Sequence, residues 1–311
     1  MTTPVQLSTG LRTFAAEDPK DWSSLVEFAR AADEAGIDRL VLSDHVVFGE
    51  NLDAYGDPAT GGSRGGKQPT GPDGAWLDPI TTIAHLTAVT SRVRFATNIL
   101  IAALRRPVVL AKAAATIDVL SKGRLDLGVG VGWQREEYEA AGLSFEGRGR
   151  LLNHTIEVCQ ALWRNETASY DSDELSFSHI HQMPKPTQPG GVPIWVSGTV
   201  NGRSMDRLAR YGSGWIPWGD DAADVVGGIA RMRAAVADRG RDPGDVGVVG
   251  TLVPVRDGDK NVDLAQTMAS VPAFRAAGVT DFRVNLSVPS DPSALTDYLG
   301  EVVAAFRSAS A

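Results

Sequence analysis

The sequence predicts a (β/α)8 barrel of the TIM type. Short β-rich runs alternate with helical patterns along the chain, and that alternation implies a parallel sheet covered by helices. Eight such units can be counted. At 311 residues the chain exceeds the ~250 residues such a barrel usually needs, so the remainder is expected as insertions within one barrel domain spanning 1–311.

The expected strands lie at 5–11, 39–43, 93–99, 125–130, 193–197, 214–218, 246–254 and 281–286. The helices that follow them are expected at 21–35, 77–91, 107–121, 148–165, 202–212, 222–239, 262–277 and 291–307. Pro79 and Pro107 fall where a first helical turn tolerates proline, and Gly36 and Gly278 follow helices as stop signals. Pro272, just after Ser270, is expected to kink the seventh helix. Two inserts remain. Residues 49–75, after strand 2, are dense in Gly, Pro, Asp, Ser and Thr, a composition that suits a lid or a disordered loop. Residues 133–192, between strands 4 and 5, carry a helix and the polar run YDSDELSFSHIHQMPKPTQPGG.

Composition narrows the function. Apolar residues make up 43% and charged residues 22%, as in ordinary globular chains. The formal net charge of -8 disfavours a nucleic-acid partner, because phosphate-backbone affinity needs clustered Lys and Arg, although Arg105-Arg106 or Arg148 and Arg150 could form a local basic spot. No stretch is long and apolar enough to span a bilayer, and no secretory signal is visible after Met1. The one cysteine, Cys159, stands at helical spacing from Ile156 and Leu162 and reads as a buried small side chain. A reducing cytoplasm is the expected location.

In such a barrel the chemistry is expected at the C-terminal ends of the strands. Strand 2 ends in Ser43-Asp44-His45, where a carboxylate and an imidazole can supply an acceptor and a proton carrier near neutral pH. Asp44 can equally cap a turn, with His45 packed beneath the glycine-rich loop. Strand 3 ends in Thr97-Asn98-Ile99, suited to touching a flat ring. Strand 4 runs into Gly128-Val129-Gly130-Val131-Gly132-Trp133, where alternate glycines imply close approach by a backbone or a ligand. The run lacks the GxGxxG of a dinucleotide fold. Strand 5 ends in Ser197-Gly198-Thr199 before Asn201-Gly202 and a helix, a setting for a phosphate or for an ordinary cap. Trp215 and Trp218 follow on strand 6 and, with Trp133, can wall an aromatic pocket. His179 and His181 lack the partners of a metal site, and no GxSxG elbow supports a hydrolase.

Taken together, EAGIDRLVLSDHVVF, WLDPITTIAHLTAVTSRVRFATNIL, RRPVVLAKAAATIDVLSKGRLDLGVGVGWQREEYEAAG and GVPIWVSGTVNGRSMDRLARYGSGWIPW resemble the luciferase-like monooxygenase superfamily, in particular its F420-dependent oxidoreductase branch. The resemblance covers roughly residues 20–220 in order and spacing. It implies an F420-dependent oxidoreductase moving a hydride between coenzyme F420 and a small organic substrate, or alternatively an FMN-dependent monooxygenase using reduced flavin and oxygen. By position it implies that His45 is catalytic, that Asp44 faces the ring, and that Thr97, Asn98 and Ile99 lie under it at a bulge with a non-proline cis peptide. Gly132 and Trp133 would border the reactive face, with Glu136 or Glu137 reaching the ring edge. Ser197, Gly198 and Thr199 would hold the cofactor tail. It further implies a homodimer, a partner reductase supplying reduced cofactor, and no metal. Arg outnumbers Lys 24 to 6, a bias of GC-rich genomes such as those of F420-producing actinobacteria, and this favours F420 over FMN. SGTVNGRS replaces the more glycine- and proline-rich loop common after strand 5, and Trp133 stands where some sugar and alcohol dehydrogenases of the branch carry a carboxylate.

Overall fold

A computed structural model describes residues 5–62, 64–289 and 291–311. Eight parallel strands close into a barrel: β1 (Gln6–Gly10), β2 (Arg39–Leu42), β3 (Arg94–Thr97), β4 (Leu125–Val129), β5 (Ile194–Gly198), β6 (Gly214–Pro217), β7 (Gly247–Leu252) and β8 (Asp281–Val284). Closure comes from β1, whose Ser8 pairs with Arg39 of β2 on one side and Arg283 of β8 on the other. Each expected strand is present; seven are shorter by one to three residues, and β5 keeps its length one residue further on.

The covering helices are α1 (Ser23–Ala35), α2 (Pro79–Thr87), α3 (Pro107–Leu120), α4 (Arg148–Arg164), α5 (Gly202–Tyr211), α6 (Val225–Ala237), α7 (Val271–Ala277) and α8 (Pro292–Ala309). The punctuation works as its chemistry requires. Gly36 and Gly278 end α1 and α7 at φ 91° and 111°, conformations that glycine adopts without a Cβ clash. Asp78 caps α2 by accepting from the Thr81 amide, which delays that helix until Pro79.

Two expected helices are divided. A turn at Asp220–Ala223 precedes α6, and the Asp224 side chain accepts from Gly227 N to start α6 afresh. Before α7 a separate helix, Leu264–Met268, stops ahead of Ser270; Pro272 therefore opens a new helix instead of kinking a continuous one, because it sits in a first turn.

The inserts are more structured than their composition suggests. Residues 49–75 contain single-turn helices at Leu52–Gly56 and Pro58–Thr60 and end in Ala75–Trp76, which pairs antiparallel with Phe14–Ala15. The polar run of the second insert forms a hairpin, Ala168–Asp171 with Ser176–Ile180, preceded by a short helix, Arg135–Ala140.

Between the strands lies an ionic layer in which Arg39 pairs with both Asp126 and Asp281, Arg94 grips Asp126 at 2.9 Å, and Ser8 Oγ donates to Asp281 at 2.5 Å. Buried charges are tolerable only when paired and hydrogen-bonded. This layer sits below the strand ends and leaves their rim free for other work.

Candidate active site

The rim is shaped first by glycines. A Cβ on Gly128 would lie 2.0 Å from the Thr97 carbonyl oxygen, so β4 can approach β3 only without a side chain there. One on Gly130 would press on Ile99 at 2.9 Å, and Gly132 faces Ile101 at φ +67°. The alternate glycines thus serve the approach of the chain after β3. Leu100 N donates to Gly128 O at 2.7 Å, and the Asn98–Ile99 peptide between them is cis.

Above this rim opens a cleft of about 800 Å3, within the usual size of ligand pockets. Asp44, His45, Asn98, Ile99, Gly132, Trp133, Ser197, Gly198 and Thr199 all line it. Thr97 is the exception among the expected site residues. It is fully buried, and its hydroxyl donates to Gly128 O at 2.8 Å, so it supports the floor from below.

His45 is 10% exposed and held from one side. Its Nδ1 lies 3.3 Å from Glu137 Oε2, while Val46 N donates to Glu137 Oε1 at 2.6 Å. An ionised carboxylate can only accept, so Nδ1 carries the proton and Nε2 is the nitrogen left for the cleft. Glu137 projects from the Arg135–Ala140 helix, and Gln134 just before it exchanges hydrogen bonds of 3.1 Å with both N and O of Gly49. Of the two glutamates considered from sequence, Glu137 reaches the site through His45.

Asp44 commits its carboxylate to Arg105, at 2.7 and 2.9 Å, and to Ile101 N at 2.8 Å. Burial pushes its pKa up, opposed by the Arg105 guanidinium. Arg105 also bonds Asp78 at 2.7 Å, so Asp44 ties the strand-2 end to the start of α2 while its residue borders the cleft.

Another part of the cleft wall is built on the start of α5 and two arginines. Asn201 caps α5 by accepting from Ser204 N at 3.0 Å. Gly198, at φ +152°, lies where a Cβ would meet Ser204 Oγ at 2.7 Å. Two guanidiniums converge here from α4 and α5. Arg207, 5% exposed, donates to Asn153 Oδ1 and Gly149 O at 2.6 and 2.8 Å. Arg148 lies 3.7 Å over the Phe145 ring and donates to Thr60 O at 2.8 Å, while its Nε is buried without a partner. Among the described residues neither makes a salt bridge, and burial pushes both pKa values down. A buried and a half-buried cation without counter-ions among the described residues, near a helix start with hydroxyls, can hold a phosphate.

The 49–75 segment roofs one side. Tyr55, Gly62 and Gln68 line the cleft, and Trp218 Nε1 donates to Gly62 O at 3.1 Å; Ser63 lies outside the described residues. Trp218 joins the cleft wall, whereas Trp215 is fully buried and donates to Gly198 O at 2.9 Å. Away from the cleft, Cys159 is buried, its thiol pushed up to about 12 by burial. His179 and His181 stand exposed on the hairpin and just beyond it. The sequence reading did not assign Phe14, Tyr55, Gln68, Trp76 or Arg207 to the cleft, and treated Arg148 only as a basic spot.

The closed parallel barrel and the ligand-sized cleft across its strand ends place this chain among the parallel barrels that carry their site at that face. The chain belongs to the luciferase-like monooxygenase family, whose profile matches residues 2–277. An uncharacterized protein of Mycobacterium tuberculosis is 35% identical over 166 residues, 53% of this chain and 58% of that relative. Among solved structures, an F420-dependent secondary alcohol dehydrogenase in complex with an F420-acetone adduct shares the fold at TM-score 0.74 and 18% identity, over 98% of this chain and 99% of the other. The FMN-bound oxygenating constituent of 3,6-diketocamphane monooxygenase from Pseudomonas putida does so at TM-score 0.69 and 15% identity, over 96% of each chain. No helix among the described residues is long and apolar enough to cross a membrane.

Proposed function

We propose that this chain is an oxidoreductase that moves a hydride between coenzyme F420 and a small organic substrate, with His45 as the proton carrier. The observation that carries the reading is the pairing, within one cleft, of a histidine whose Nδ1 is held by Glu137 and a counter-ion-free arginine pair beside the α5 N-terminus. Asn98, Ile99, Gly132 and Trp133 would border the ring, and Ser197, Gly198, Thr199, Arg148 and Arg207 would hold the phosphate-bearing tail. Bound there, F420 supplies a ring carbon that takes up or releases a hydride.

The chain's own residues do the rest. His45 Nε2 takes the proton from a substrate hydroxyl as its carbon loses a hydride, or returns it to a carbonyl oxygen in the reverse direction. Glu137 fixes the tautomer that makes this possible and stabilises the imidazolium once Nε2 is protonated. The aromatic wall and the 49–75 roof keep water from the reacting atoms.

Titration of the purified protein with F420 and, separately, with FMN tests the reading. F420 is expected to bind and to quench tryptophan emission from Trp133 and Trp218; tight binding of FMN with none of F420 overturns it. The second reading, an FMN monooxygenase fed reduced flavin by a partner reductase, draws on the likeness to the FMN-bound P. putida fold. It requires oxygen consumption with reduced FMN, which the F420 reading does not.

A further inference from the structure

The mouth of the cleft is ringed by aromatic side chains in mutual contact. Phe14 and Trp76 stack at 4.3 Å, and Trp76 meets His45 edge-on at 4.9 Å. His45 meets Trp133 at 5.8 Å, and Trp133 meets Tyr55 at 5.4 Å. The antiparallel pairing of Phe14–Ala15 with Ala75–Trp76 sets the first of these contacts, and the Leu52–Gly56 turn delivers Tyr55. Phe14, Tyr55, Trp76 and Trp133 all line the cleft.

Charge is distributed unevenly along it. Arg207 shares α5 with Ser204, and Arg148 reaches from α4 to Thr60 O in the roof; in the reading above a cofactor phosphate would engage both. The carboxylates behind the aromatic end are already committed, Asp44 to Arg105 and Glu137 to His45. Arg64 lines the cleft from the roof and is itself exposed, so its charge stays in water. A charged substrate group placed among the rings would lose its hydration without a buried partner.

Among the described residues two hydrogen-bond donors on this side are unpartnered: Trp133 Nε1 and Gln68 Nε2 are buried with no acceptor. Such groups are costly to leave unmatched. Burial also pushes the Tyr55 pKa up and keeps it a phenol, a further donor on the same wall.

We propose that this end of the cleft binds an uncharged, flat, aromatic substrate carrying a hydrogen-bond acceptor such as a ketone oxygen, stacked between the Tyr55 and Trp76 walls. The proposal rests on the cofactor reading above, because that reading assigns both arginines to the cofactor tail. Ring stacking supplies the affinity, and the acceptor meets the orphaned donors. A sugar phosphate or a long aliphatic chain satisfies at most one of these requirements.

The test is a tryptophan-fluorescence titration of the full chain, with and without bound cofactor, using 2-acetylnaphthalene, 2-decanone and glucose 6-phosphate as probes. The aryl ketone is expected to bind at least about tenfold tighter than either of the others, as stacking on aromatic side chains typically gives. Trp76→Leu and Tyr55→Leu should each weaken it about tenfold and leave F420 affinity within about twofold. Tyr55 is on the roof and outside the barrel core, so its variant keeps the test valid if Trp76→Leu folds poorly. Equal or tighter binding of 2-decanone or glucose 6-phosphate, or an aryl-ketone affinity unmoved by Tyr55→Leu, overturns the substrate class. If neither F420 nor FMN binds, the cofactor reading falls separately, and the titration of cofactor-free protein still reports on the aromatic site.

Discussion

Glu137→Gln changes one buried atom and nothing in shape, which makes it the sharpest probe of the site. In the native protein both carboxylate oxygens are used, one by Val46 N at 2.6 Å and one by His45 Nδ1 at 3.3 Å. Glutamine keeps one carbonyl oxygen. If that oxygen stays on the shorter bond, to Val46 N, the amide NH2 is turned to His45, where only an unprotonated Nδ1 can accept it. The proton then moves to Nε2, and the ring faces the cleft as a donor. A hydrogen bond to a charged group contributes about 1.5–3 kcal/mol, so turnover dependent on Nε2 as a base should fall about 10- to 150-fold, with substrate affinity little changed. The tautomer can be read without a substrate, by 15N NMR of the imidazoles; the chain has five histidines, and His45→Asn assigns the relevant signals. The native spectrum should show Nδ1–H for His45 and the variant Nε2–H. An unchanged tautomer in Glu137→Gln would refute the reasoning, since a merely structural glutamate would lower stability and leave the ring as it was.

Three further outcomes follow from the same geometry. Arg148→Gln and Arg207→Gln should each weaken cofactor binding about 10- to 150-fold by loss of a charge-assisted contact to phosphate, measured as Kd by fluorescence; affinity unchanged in both would remove the anion cradle. Gly128→Ala forces a Cβ to 2.0 Å from the Thr97 carbonyl and should destabilise the chain by about 1–3 kcal/mol, seen in the denaturation midpoint; a neutral effect would mean the β3–β4 approach is not fixed. Asp33 is partly buried, which raises its pKa, but the amides of Val93, Ser91 and Arg92 outweigh burial and hold it below the usual 3.8. A depressed folded-state pKa gives stability that is present above the unfolded value and lost as pH falls through the folded one. Native stability should therefore decline below about pH 4 with a slope that Asp33→Asn reduces; identical slopes in urea titrations would contradict this.

The barrel was legible because the strands are short β-rich runs that alternate with helical patterns, and that signal is local. RLVLS and LDLGVG need only their neighbours in sequence to be recognised. The cap of α2 and the stops at Gly36 and Gly278 are local too. Divided helices were harder: Pro272 signals a discontinuity, but whether it kinks one helix or begins another depends on what the preceding turn packs against. The pairing of Phe14–Ala15 with Ala75–Trp76 joins segments far apart in the chain and only two residues long, below any periodic signal. The ionic layer at Arg39, Asp126 and Asp281 looks, residue by residue, like ordinary polar strand positions, and becomes a network only when the barrel closes.

The site divides in the same way, and the division explains where the resemblance helped. Motif and position brought Asp44, His45, Asn98, Ile99, Gly132, Trp133, Ser197, Gly198 and Thr199 to one cleft, because strand ends converge whenever a barrel forms. They did not reveal that Asp44 spends its carboxylate on Arg105, or that Thr97 faces the floor. Those are orientations, set by partners that lie on other strands and helices. Arg148 and Arg207 belong to the outer helices α4 and α5, where a basic residue ordinarily faces water; their burial beside Gly198 depends on how both helices pack against the β5 rim. Glu137 is an intermediate case. Four residues after Trp133 and on a short helix, it was a candidate with Glu136, and the helix turn decides between them: Glu137 is buried toward His45 and Glu136 is partly exposed. A proton carrier is thus visible in sequence as a residue type at a strand end, whereas its competence rests on a partner whose direction only the folded chain fixes.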